Sequence, residues 1–150
     1  GESFRLRYPQ AVRPWQHVAD CLNGYLAIVR NLLDPASQKQ DVEAWNIGPG
    51  FDSFKTVAEL TDLVAHLWNG PCAWEEDNTA HPHEAQLLAL DASRAHDHLG
   101  WRNHLDFKES VAWTVDWYSA AARGVDPREI TESQIDAFLE RSGATPLTAL

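Results

Sequence analysis

Two short strings hold the side chains best suited to ligand chemistry: RPWQHV, from Arg13 to Val18, and HPHEA, from His81 to Ala85. A guanidinium such as that of Arg13 presents a donor fork that fits paired phosphate oxygens, and it stays charged at every working pH. Read alone, Arg13 is a surface arginine before a proline. Gln16 and His17 are neighbours that would point to opposite faces of a strand, so at most one of them faces a ligand. Trp15 reads as core packing. In the second string His83 and Glu84 can hydrogen-bond a ligand, or can fix the loop, because a carboxylate beside an imidazole holds its tautomer.

The histidines also invite a metal reading, since His96, Asp97, His98 and His104 follow His81, His83 and Glu84. A metal needs ligands that converge with defined geometry. On a helix, His96 and His98 would lie about 200° apart, too far to chelate one ion together. HExxH does not occur, and solvated histidines are the better reading, so no metal site is expected.

A third string, AWNIGPGFDS from Ala44 to Ser53, reads as a strand ending in a Gly-Pro-Gly loop before a helix. Such loops lie at the carboxyl edge of α/β sheets, where ligands bind. Asn46 and Ser53 are weak contact candidates there, better read as a satisfied amide and a helix cap. The string from Asp91 to Trp101 reads as structural: a cap, a short helix and a left-handed Gly100.

RPWQHV, AWNIGP and HPHEAQLLALDASRAHDHLGW together closely resemble the C-terminal region of CDP-glucose 4,6-dehydratases, members of the extended short-chain dehydrogenase/reductase family. The resemblance covers nearly the whole chain and weakens after Gly124. It implies an α/β fold, the helix-rich substrate-binding part of such an enzyme, with short mixed strands and no complete Rossmann domain. It also implies that residues 1–150 form a single nucleotide-sugar-binding domain, with the NAD-binding half absent. Arg13 would hold the pyrophosphate of a nucleotide-diphosphate sugar. His81 stands where many relatives place an arginine, and His17, His83 and Glu84 complete the expected substrate-binding set. The family reaction oxidises the glucose C4 hydroxyl, removes water across C5 and C6, and returns hydride to C6 with NAD.

Two family signatures are missing from these residues. A dinucleotide fold needs a glycine-rich turn between strand and helix, and neither GxGxxG nor GxxGxxG occurs. The family's Tyr and Lys four residues apart are also missing: Tyr8, Tyr25 and Tyr118 are followed at that spacing by Val12, Val29 and Ala122. The chain alone is therefore expected to hold no catalytic residue, to bind no cofactor and to be inactive, NAD belonging to the full-length enzyme. The competing reading is a freestanding binding or oligomerisation module without enzymatic activity. Separation from the nucleotide-binding sheet should expose an apolar face, so homo-oligomerisation is expected.

The elements that must position these residues follow from periodicity. Phe4, Leu6 and Tyr8 alternate with arginines, a strand ended by Pro9, and a second extended piece runs from Arg13 to Val18. From Asp20, apolar residues from Cys21 to Leu33 recur at helical spacing, which predicts a core-facing helix closed by Asp34 and Pro35. Ser37 to Glu43 reads as a surface connection and Ala44 to Ile47 as a buried strand. Ser53 is expected to cap a helix with the stripe Val57, Leu60, Leu63, Val64, Leu67 and Trp68, ended by Asn69 and Gly70. A strand is expected at Ala73 to Glu75, then an Asp91-capped helix ending at Gly100. An Asp106-capped helix should run to Gly124, and Thr131 with Gln134 has capping-box spacing for a last helix.

Composition bounds the alternatives. A hydrophobic content of 44% with seven Trp in 150 residues is enough for a real core. A net charge of -10 disfavours nucleic acid and anionic membrane surfaces as partners. The chain has no apolar run of membrane-spanning length, and its first residues carry no signal-peptide pattern. Cys21 and Cys72 read as buried thiols, not a disulfide. The expected setting is soluble and cytoplasmic.

Overall fold

The computed structural model describes residues 4–35, 44–68 and 73–143. The connection expected at Ser37 to Glu43, the helix stop at Asn69 and Gly70, and Cys72 lie outside them. The chain order is β1 (Phe4–Leu6), β2 (Val12–Pro14), α1 (Val18–Leu33), a 3-10 turn (Phe51–Ser53), β3 (Phe54–Thr56), α2 (Val57–Trp68), β4 (Trp74–Glu76), α3 (Ser93–Leu99), α4 (Phe107–Ala122) and α5 (Pro127–Ser142). This is the helix-rich α/β order with short mixed strands that the sequence implies.

The strands form two small pairs. β1 runs parallel to β4, with Phe4 opposite Trp74 and Leu6 opposite Glu76, while β2 runs antiparallel to β3, with Arg13 opposite Lys55. A parallel bridge from Val12 to Leu87 lays the segment after HPHEA along the other side of β2.

The main apolar cluster lies where α2 crosses α4. Phe107, Val111 and Val115 are buried there against Leu60, Leu63, Val64, Leu67 and Trp15. Trp15 is thus core packing, as its sequence suggests, and its indole N–H donates to Lys55 O at 2.9 Å. A second knot surrounds Asp20, which has no exposed surface. Its carboxylate accepts from the backbone N–H groups of His104 at 2.7 Å and Leu105 at 3.1 Å, and its carbonyl accepts from the Trp101 indole. Arg141 closes the knot from α5, donating to His104 O and to both carboxylate oxygens of Glu109.

Several boundaries differ from the periodic reading. The extended piece stops at Pro14, and α1 starts at Val18 because His17, in an extended conformation, accepts from Ala19 N and caps it. Ala44 to Ile47 joins no ladder. It packs by side chains instead: a Cβ on Gly24 of α1 would sit 2.6 Å from Ile47 Cγ2, so only glycine admits this contact as it stands. Ser53 is buried in the 3-10 turn, and the α2 cap is Thr56, whose hydroxyl accepts from Glu59 N while Glu59 Oε2 accepts from Thr56 N. The last helix starts earlier than expected, at Pro127 behind the Asp126 cap. Thr131 and Gln134 fall inside it, where Thr131 Oγ1 accepts from the Trp117 indole and Gln134 donates to Trp113 O. The expected caps at Asp106 and Gly100 are present, the first as a full capping box and the second at a left-handed φ of 62°.

The largest departure is on α1. Its buried positions are Asp20 and Gly24, whereas Leu22, Tyr25, Leu26, Val29, Leu32 and Leu33 are exposed. The periodicity is helical as expected, but most of the apolar stripe faces outward from the described residues. None of the described helices is long and apolar enough to cross a membrane.

Candidate ligand-binding site

Parallel pairing sends β1 and β4 out on the same edge, and the residues just past each strand meet there. Asp77 N donates to Leu6 O at 2.8 Å, extending the pair by one step. Tyr8, two residues past β1, donates its hydroxyl to Pro82 O, and its ring stands edge-on to His81 at 6.0 Å. His81 Nε2 lies 3.1 Å from both Asp77 Oδ2 and Thr79 Oγ1. The hydrogen bond from Thr79 N, then those from the Thr79 hydroxyl and His81, hold the Asp77 carboxyl below its ordinary range. An ionised Asp77 favours a proton on Nε2 of His81, which fixes the ring's orientation through the logic of a carboxylate-held imidazole.

Arg13 lies next to this edge. β2 is fixed on both sides, by β3 and by the hydrogen bonds Val12 N to Gln86 O at 2.7 Å and Leu88 N to Val12 O at 3.2 Å. These bonds bring HPHEA beside Arg13, whose Nη2 pairs with Glu84 Oε1 while Nη1 donates to Val12 O at 2.8 Å. A cavity of about 280 Å³ opens beside the pair, walled by Tyr8, Gln10, Glu76, Glu84 and Gln86 among others. Arg13 and Glu84 therefore meet beside this edge, and His81, three residues before Glu84, is held by Tyr8, Asp77 and Thr79. His83, in the same string, is exposed.

His17 is placed apart from them. With Gln16 it lines a larger, mainly apolar cavity of about 800 Å³ between α1, α4 and α5. The alternation expected of a strand fails for this pair because the backbone has already left β2, so both reach one cavity. His17 is buried, stands edge-on to Trp113 at 5.6 Å, and spends Nδ1 on the α1 cap. Burial lowers its pKa from 6.5. A depressed histidine pKa supplies stability above the unfolded value that is lost as pH falls through the folded value. The Nδ1 cap, worth about 1 kcal/mol, agrees, because a protonated Nδ1 cannot accept. Thermal midpoints should therefore drop as pH falls from about 7 to about 5, and this part of the slope should vanish in His17→Asn, which keeps a cap acceptor. An unchanged slope in that variant would contradict the assignment.

The remaining expected positions are accounted for locally. Asn46 donates to Asp91 O at 3.1 Å, and Asp91 accepts from Ser93 N at the start of α3. His96 pairs with Asp97, and His98 stands edge-on to Trp45. Among the described residues no three His, Cys, Asp or Glu side chains are grouped to hold a metal. Tyr8 and Asp77 are the site residues that sequence reasoning missed. Tyr8 is hidden in the β1 alternation, while Asp77 carries a usable signal, an acid four residues before His81.

No protein-family model matches the chain. It is 34% identical over 134 residues to a CDP-glucose 4,6-dehydratase of Salmonella typhimurium, covering 89% of this chain and 37% of that protein. It is also 34% identical over 113 residues to a dTDP-glucose 4,6-dehydratase of Streptomyces antibioticus, covering 71% of this chain and 29% of that one. Among solved structures it resembles a UDP-glucose 4-epimerase from Bifidobacterium longum, in complex with NAD+ and UDP, with a TM-score of 0.65 and 22% identity. A second is RMD from Pseudomonas aeruginosa complexed with NADPH, with a TM-score of 0.58 and 19% identity. The likeness covers 81% and 73% of this chain but 36% and 33% of theirs, so the chain spans about a third of the length of the proteins it matches.

Proposed function

This chain is homologous to part of the sugar-nucleotide 4,6-dehydratases, and on that premise we propose that it is the nucleotide-sugar-binding portion of an NAD-dependent enzyme of this kind, with CDP-glucose as substrate. The observation that carries the reading is the meeting of Arg13 with the HPHEA string, 71 residues apart in sequence from Arg13 to Glu84, beside one cavity. Arg13 holds the pyrophosphate, and His81, oriented by Asp77, and the exposed His83 belong to the same string as Glu84, which walls the cavity. The Salmonella relative, covering most of the chain, favours CDP over dTDP.

The described residues do not fit a dinucleotide. The three strand-to-helix passages, β2 to α1, β3 to α2 and β4 to α3, lack glycine, and the starts of α1 and α2 are filled by His17 and by the Thr56–Glu59 pair. NAD and the groups that move hydride and protons are assigned to a further portion of the enzyme, so this domain of residues 1–150 orients the ligand and is inactive by itself. The outward apolar stripe of α1 supports this reading over a freestanding module, because a module has no use for so much unburied leucine. That portion covers the stripe; a chain lacking it associates with a second copy through the same surface. The enzyme works in the cytoplasm.

Calorimetric titration of the intact protein tests the reading. CDP-glucose should bind at least about 10-fold more tightly than dTDP-glucose, and Arg13→Ala should weaken CDP-glucose by about 10- to 100-fold, the worth of a charge-assisted bidentate contact. Equal affinity in the variant would remove Arg13 from the site, and no heat from wild type would sink the reading as a whole.

A further inference from the structure

We propose that Asp77 is a positioning residue of the ligand site: acting through His81, it holds the HPHEA string in place beside Arg13 before any ligand arrives. The inference rests on the reading of this edge as the nucleotide-sugar site.

The string has no regular structure of its own, so its placement comes from what ties it at each end. Its far end is tied to β2, by Val12 N to Gln86 O and Leu88 N to Val12 O. Its near end is tied by Asp77, which makes three bonds of different kinds. The backbone N–H continues the β1–β4 pair by donating to Leu6 O at 2.8 Å, one carboxylate oxygen turns the chain by accepting from Thr79 N at 3.0 Å, and the other lies 3.1 Å from His81 Nε2. The carboxylate thus joins a strand end fixed by its ladder to the first residue of the string. The Thr79 hydroxyl and the edge-on Tyr8 ring hold His81 from other sides, and the Tyr8 hydroxyl donates to Pro82 O.

The Asp77 and His81 side chains are 19% and 17% exposed, so their contact is sheltered from the water that weakens open surface pairs. His83, Glu84 and Ala85 span the gap between the two ties, and all three are exposed. Asp77 is not among the residues that wall the cavity, so its effect on a ligand there passes through the string. A string ordered in advance spares the ligand the entropy of ordering it, and a string released at its near end does not.

The test titrates CDP-glucose into intact wild-type protein, Asp77→Ala, Asp77→Asn, His81→Ala and Asp77→Ala/His81→Ala at about pH 8, where histidine is ordinarily neutral. Amide hydrogen exchange is followed in the same proteins without ligand. Asp77→Ala should weaken CDP-glucose by about 5- to 20-fold and speed exchange from Thr79 to Leu88, with protection in α2 and α4 unchanged. Asp77→Asn, whose side chain still bonds Thr79 N and a neutral imidazole, should recover most of the affinity. Because Asp77 acts through His81, adding Asp77→Ala to His81→Ala should weaken binding by less than about 2-fold further. Unchanged affinity in Asp77→Ala overturns the proposal, whether or not exchange quickens. Weaker binding with unchanged exchange overturns it too, by placing the carboxylate on the ligand itself, and so does a full additional loss in the double variant. An asparagine variant as weak as alanine would assign the effect to charge and not to position, against the proposal. Failure of the site reading looks different: wild type itself gives no heat, and the inference falls with it.

Discussion

Replacing Trp101 by alanine is expected to lower folding stability by about 4 kcal/mol, the usual cost of deleting a buried indole. Trp101 is only 4% exposed, and its N–H donates to Asp20 O at 3.2 Å. Its backbone arrives directly from Gly100, whose left-handed turn sends the chain from α3 back under α1. The loss therefore combines the transfer of a large apolar surface with a cavity that a turn held at both ends cannot collapse. Trp101→Phe should recover most of it, retaining a deficit of about 1 kcal/mol for the missing hydrogen bond. Urea unfolding monitored by circular dichroism measures both. An alanine variant within about 1 kcal/mol of wild type would place Trp101 outside the core.

Asp20→Ala should cost about 3 kcal/mol by the same measurement, for a different reason. The variant leaves His104 N and Leu105 N without their acceptor, and Leu105 has no exposed surface through which water could replace it. Asp20→Asn keeps one acceptor and should lose less. Burial raises the Asp20 pKa from 3.8, outweighing the two backbone donors and the nearby His104 and Arg141 charges that lower it. A raised carboxyl pKa makes its contribution complete below 3.8 and progressively smaller as pH rises through the folded value. The gap between wild type and Asp20→Ala should accordingly widen on acidification. A gap that narrows would show that the backbone donors dominate burial.

The parts of this fold legible in the sequence were those encoded within a few residues. The Asp106 cap, Gly100 after a short helix, and the α2 residues Leu60, Leu63, Val64 and Leu67 are local patterns, and each stands where it was expected. The errors arose where a distant segment decides. Ala44 to Ile47 has strand composition, but the neighbour it meets is Gly24 on a helix, not a strand edge. The α1 stripe is a correct helix pattern, but most of it is exposed among the described residues. Thr56 lost to Ser53 as the expected cap because β3 is three residues long, too short to leave a period. The site divided in the same way. Arg13 and Glu84 were chosen from two strings and are paired, whereas His17 could be recognised as a cap only once the chain was seen to leave β2 after Pro14.

The bridge from Val12 to Leu87 has a consequence for how the molecule is made. Everything that joins Arg13 to the HPHEA string waits on contacts closed across some 70 residues, the slowest kind to form. At about 5–20 residues per second of translation, Arg13 is polymerised roughly 4–14 s before Glu84. The nascent chain therefore carries Arg13 without its Glu84 partner during that interval, and the pair closes only after the second half of the chain is made.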